Sequence, residues 1–259
     1  MEWRYILSMS PLRCFWRSLS VLSLLCLFSG LGHSAILDWD AAGVDWTPGG
    51  TSQSFNIGGT TVTISLTGNL SNFQANFPDD NVELTGGLAG QQSLQLWINS
   101  WTTNSQALTV TILFSTLVSN VLLPIYDIDR SGTTFQDQIR TISATDGTTT
   151  YAANISNTGS TANTVANNNT LTATITGSAT ATDSTAAGNA TLSFTNPVNS
   201  ITFSYGNGAG AQADPGQQAI ALGDITFTVV PEPGTYFFGL FLVGVAFIHW
   251  SRRPFLKSF

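Results

Sequence analysis

The chain has 259 residues and a formal net charge of −7, with 8 Lys and Arg against 15 Asp and Glu. A protein so poor in cations cannot gain from releasing counterions off a phosphate backbone, so nucleic acid is excluded as a partner. Its two cysteines, Cys14 and Cys26, both lie near the N-terminus, so no disulfide framework supports the rest of the chain.

At the start, Arg4, Arg13 and Arg17 lead into the apolar stretch 19–28, and small residues follow at Ser29, Gly30, Gly32, Ser34 and Ala35. Basic, apolar and small-residue segments in that order predict a secretory signal peptide over 1–35, cleaved near Ala35. Leu25 precedes Cys26 where a lipoprotein signal needs a small residue. Residues 36–230 then form one exported domain without a thiol. Thirteen acidic residues stand there against Arg130 and Arg140, a net charge of −11. Such acidity suits a secreted domain that stays soluble or recruits divalent cations.

Apolar and polar residues alternate with period two through 61–66, 94–98, 108–114, 171–175, 190–194, 201–205 and 225–229. These segments are rich in β-branched and aromatic residues, and Gly, Asn, Asp and Pro separate them, as expected of half-buried strands. About ten to twelve short strands are expected, and the fold class is all-β: an antiparallel two-sheet sandwich, jelly-roll-like. A right-handed β-helix would need a sustained internal repeat, which the sequence lacks. The stretch 143–195, dominated by Thr, Ala, Asn, Ser and Gly, reads as edge strands with polar outer faces rather than an adhesive loop.

The domain's missing residue types limit its chemistry. His33 and His249 both lie in the terminal segments, so 36–230 has no His, Cys or Lys. That excludes Ser-His-Asp and Cys-His nucleophiles, Schiff bases and zinc held by imidazole or thiolate. No catalytic residue is expected. Carboxylates leave two other possibilities: calcium, or glycoside hydrolysis by a pair drawn from Glu83, Asp127 and Asp129. The run from Asp127 to Gly132 opens like a D-x-D-x-S-G calcium loop, but Gln138 stands at its twelfth position in place of a bidentate Glu. Asp127, Asp129 and Asp137 are the candidate calcium ligands. A second candidate is Asp224, which enters the last strand: this segment resembles the C-terminal strand of calcium-stabilised carbohydrate-binding jelly rolls, and the resemblance implies that Asp224 meets Asp38 or Asp40. Among the tryptophans, Trp97 alternates with leucines and is expected inside. Trp46, in a polar turn, and Trp101 are the candidates for stacking on a sugar.

The chain ends with Pro231-Glu232-Pro233, an apolar run over 235–250, and Arg252-Arg253. The prolines hold their segment extended, the run predicts a short transmembrane helix, and the arginines predict a cytoplasmic end. This order of parts resembles the PEP-CTERM sorting tail of Gram-negative bacteria. The resemblance implies an exosortase that recognises Pro231, Glu232 and Pro233, and retention in the inner membrane through Arg252 and Arg253. It further implies release to the cell surface or extracellular matrix, and says nothing about what the domain binds. The role expected there is that of a non-catalytic structural or binding component, with exopolysaccharide as a candidate ligand. A carbohydrate-binding module with structural calcium is the alternative, and a secreted glycosidase a further one.

Overall fold

Period-two alternation does shape the molecule, and one long strand departs from it at a single residue. The computed structural model describes residues 32–231; the apolar leader stretch, Glu232, Pro233, the 235–250 run, Arg252 and Arg253 lie outside them. Among the described residues no helix is long and apolar enough to cross a membrane. His33–Val230 form one unit.

The strands are, in order, β1 (His33–Leu37), β2 (Ser52–Ile57), β3 (Thr60–Gly68), β4 (Asp79–Asn81), β5 (Ser93–Ile98) and β6 (Ala107–Tyr126). There follow β7 (Arg130–Ser131), β8 (Phe135–Thr145), β9 (Thr150–Tyr151), β10 (Asn154–Ser156) and β11 (Asn163–Ala166). The last are β12 (Thr174–Gly177), β13 (Ala190–Phe194), β14 (Val198–Asn207), β15 (Gln218–Leu222) and β16 (Ile225–Val229). Every pairing among them is antiparallel. The architecture is all-β and sandwich-like.

β6 links the two parts of this arrangement. Its first half pairs with β3 on one side and β14 on the other. Beyond β14 lie β8, β12 and β11. Its second half pairs with β13 on one side and with β16 and β15 on the other. Beyond β15 lie β5 and β4, and β1 covers β16.

The switch lies at Asn120. In the first half of β6 the even positions Leu108, Val110, Ile112, Phe114 and Val118 are buried; in the second half Val121, Leu123 and Ile125 are. Asn120 has φ 51° and is exposed, and the ladder to β16 shifts register there, opposite buried Phe227. One extra left-handed residue thus moves the apolar set from one parity to the other, and Asn tolerates that conformation better than a β-branched residue. β8 repeats the device. Its inward residues pass from Asp137 and Ile139 to Ile142 and Ala144 across Thr141, at φ 56°, opposite buried Phe203.

β3, β5, β13, β14 and β16 lie where the alternation predicts them. The 171–175 segment differs: its strand begins only at Thr174, and Leu171 is exposed in the preceding turn. The Thr- and Asn-rich stretch forms β9 to β13, with β11 at the sheet edge, in agreement with the edge-strand reading. The strands beyond the expected number include β7, β9 and β10, pieces of two or three residues that are too short to alternate. β1 pairs over its whole length with β16, from His33 opposite Val229 to Leu37 opposite Ile225. It therefore includes residues 33–35, which the sequence reading assigns to the leader.

Replacing Asn120 by Val should lower the unfolding free energy by about 1–2 kcal/mol in urea denaturation, while Asn120→Gly should change it little. Thr141→Asn should raise it by roughly 1 kcal/mol, because Asn relieves a β-branched residue at positive φ.

Candidate binding cleft

The tryptophans correct the sequence reading. Trp46 is 2% exposed, donates its indole N–H to the Gly50 carbonyl at 3.0 Å and packs against Phe55. Trp101 is fully buried. Neither can stack on a ligand. The polar residues around Trp46 fold it inward, with Asp80 accepting its backbone N–H at 2.7 Å. Among the described residues, Trp97 is the tryptophan that reaches a surface cleft.

β5 and β15 explain why. Leu94, Leu96 and Ile98 occupy the core face of β5, so Gln95 and Trp97 take the other face, opposite Ala221 and Ala219 of β15. The two alanines leave a hollow there. It is a cleft of about 170 Å³ lined by Glu83, Gln95, Trp97, Asp127, Asp183 and Gln217, among others. Phe77 supports Trp97, with ring centroids 5.2 Å apart, and Asn81 donates to the Gln95 side chain at 2.7 Å. An aromatic face amid amides and carboxylates suits a neutral, hydroxyl-rich ligand.

The acidic wall of the cleft is built from a distant part of the chain. Ile128 N–H donates to the Gly188 carbonyl at 2.9 Å, Arg130 N–H to Ala179 at 3.0 Å, and Ala181 N–H to the Asp129 carboxylate at 2.7 Å. Gly177 and Gly188 permit this approach: a Cβ at Gly177 would lie 1.8 Å from the Asp129 carbonyl, and one at Gly188 2.8 Å from the Asp127 Cα.

Asp127, Asp129 and Asp137, the trio expected to hold calcium, are neighbours but not a cage. Asp137 is fully buried, accepting the Tyr205 hydroxyl at 2.9 Å and the Asp129 N–H at 3.2 Å. Its oxygens and one of Asp129 are committed inside the fold, and Asp127 turns to the cleft instead. Among the described residues no three carboxylate, imidazole or thiolate groups converge as a metal centre. Burial, reinforced by the charges of Asp129 and Asp183, pushes the Asp127 carboxyl up to about 7. Burial also raises Asp129, and holds Asp137 well above the ordinary carboxyl range.

Asp224 does meet the start of the chain, as the sequence reading anticipates. It accepts the Trp39 N–H at 3.0 Å and the Gln91 amide at 3.1 Å. Burial raises its carboxyl, and the charges of Asp38 and Asp40 add to this. Asp40 itself accepts the Gln92 N–H at 3.2 Å.

Residues 229–253 match the PEP-CTERM protein-sorting motif. The chain thus carries a tail that marks exported, surface-sorted proteins. No curated protein matches the chain. Among solved structures, a family 11 carbohydrate-binding module from Clostridium thermocellum, in complex with a beta-1,3-1,4-mixed-linked tetrasaccharide, is similar to it. That similarity covers 78% of this chain and 98% of that one, at 8% identity and a TM-score of 0.31. So loose a likeness gives no guide to a ligand.

The raised carboxyls fix the sign of the pH dependence. Asp127, Asp129, Asp137 and Asp224 bind their protons more tightly when folded, so folding takes up protons above the ordinary value of 3.8, and for Asp127 up to about 7. Stability should be complete at pH values below that window and fall as pH rises through it. Melting followed by tryptophan fluorescence should give a midpoint roughly 5 °C higher at pH 5 than at pH 8. Asp127→Asn should flatten this difference.

Proposed function

We propose that the chain is exported, held in the inner membrane by its C-terminal segment, and processed by an exosortase. It then passes to the cell surface or extracellular matrix, where its jelly-roll-like domain binds a hydroxyl-rich polymer such as exopolysaccharide without turning it over. The sorting motif at 229–253 supports the destination. One observation carries the binding reading: Trp97, alone among the domain's tryptophans in lining a cleft, does so beside Gln95, Glu83, Asp127 and Gln217. Amides and carboxylates pair with hydroxyls, and the indole face covers a sugar ring.

A glycosidase is the second reading, favoured by one feature. Glu83 and Asp127 share the cleft, and Asp127 keeps its proton up to about 7, as a general acid requires.

Replacing Pro231, Glu232 and Pro233 together by alanine should leave uncleaved protein in the inner membrane of the native host; unchanged release into the medium would refute the sorting step. In affinity electrophoresis through gels containing the host's exopolysaccharide, the protein should be retarded, and Trp97→Ala should weaken retention by about tenfold. Equal retardation of wild type and variant would remove the cleft from consideration. Reducing ends that accumulate with wild type but not with Asp127→Asn would replace binding by hydrolysis.

A further inference from the structure

The first strand bears on where the leader ends. β1 starts at His33 and pairs with β16 along its whole length, with His33 opposite Val229, Ser34 opposite Thr228 and Ala35 opposite Phe227. More than the ladder holds these residues. The His33 ring donates through Nε2 to the Gly58 carbonyl at 2.8 Å, and Ala35 packs against the buried core. Gly58, at φ 58°, lies in the turn between β2 and β3 and sits directly against both side chains. A Cβ there would come within 2.9 Å of the Ala35 Cβ and of His33 Nε2. Gly32, by contrast, is exposed and outside the strand, and the folded unit runs from His33 to Val230.

A cut after Ala35 would discard these contacts. It would remove three of the five paired residues of β1 and uncover β16 from Phe227 to Val229 as an open strand edge. A leader is cut where small residues stand one and three places before the bond. His33 holds the third place before the Ala35–Ile36 bond and is large. Two other bonds in this stretch satisfy the rule: Gly32–His33, which follows Gly30 and Gly32, and Ser34–Ala35, which follows Gly32 and Ser34. Of these two, only cleavage at Gly32–His33 leaves β1 whole, with His33 still on Val229 and Gly58.

We propose that the signal peptide is removed by hydrolysis of the Gly32–His33 bond, so that the mature domain begins with the first residue of β1. A signal peptidase supplies the catalytic groups and water is the co-reactant. The C–N bond breaks, the hydroxyl of water goes to the Gly32 carbonyl carbon and its proton to the His33 nitrogen, giving a carboxyl group and a free α-amino group. The new N-terminus then lies opposite Val229, at the end of β16 from which the sorting motif departs, so both processing steps act at one end of the β1–β16 pair. This inference rests on the export reading and uses none of the cleft's chemistry.

The full chain is produced in the native host, and the exported protein is taken to N-terminal sequencing and intact-mass measurement. Its first residue should be His33. Gly30→Gln puts a large side chain three places before the proposed bond and should abolish the His33 start. Ser34→Gln disfavours the Ser34–Ala35 bond and should leave the His33 start unchanged. Exported wild type that begins at Ala35 or Ile36 overturns the proposal and leaves the export reading standing. A His33 start that persists in Gly30→Gln also overturns it, because the small-residue rule would then not select this bond. Protein that retains Met1 in every fraction overturns both the proposal and the signal-peptide reading.

Discussion

Membership of one strand in two layers is the constraint on which this domain depends. β6 cannot be buried correctly in both with a single parity, because the layers ask for opposite sides of the strand. A left-handed Asn120 resolves the conflict at the cost of one unpaired residue, and the β16 ladder closes again around Phe227. Packing then follows from geometry: Phe114, before the switch, meets Phe227 at 5.2 Å. Thr141 does the same for β8, so both bulges face a buried phenylalanine that fills the space a kinked ladder opens.

Electrostatics is the second organising fact. The domain's acid is not spread evenly: Asp127, Asp129, Asp137 and Asp183 meet at one place, and Asp38, Asp40 and Asp224 at another. Both arginines bind carbonyls instead of neutralising these groups. The fold carries this repulsion by enclosing Asp137 beneath Tyr205, where burial raises its carboxyl well above the ordinary range, and by leaving Asp127 at the rim of a cleft. A protein optimised only for stability would replace such carboxyls, and their arrangement around a cleft fits the binding of a ligand.

The sequence carries most of the fold class and little of the site. Val62, Ile64 and Leu66 alternate clearly because β3 has one wet face and one dry face. Asn120 leaves almost no trace, since an Asn amid apolar residues reads as the end of a strand. The cleft was half legible: the leucines around Trp97 place it on the face opposite the core, but nothing local says whether that face is covered. Trp46 misled because its polar neighbours hydrogen-bond around it and bury it. Asp183 was invisible, for it meets Asp127 only through close approaches at Gly177 and Gly188 that are fixed by tertiary packing.

The pairing of β16 on both sides has a mechanical consequence. β16 lies between β1 and β6, Val230 is held to the Leu117 carbonyl at 2.9 Å, and the sorting motif follows with no spacer in the sequence. Tension applied through the tail therefore runs along the strand axis, perpendicular to the ladder bonds. Those bonds are loaded together in shear and do not unzip one after another. A domain pulled from this end should therefore yield only at high force.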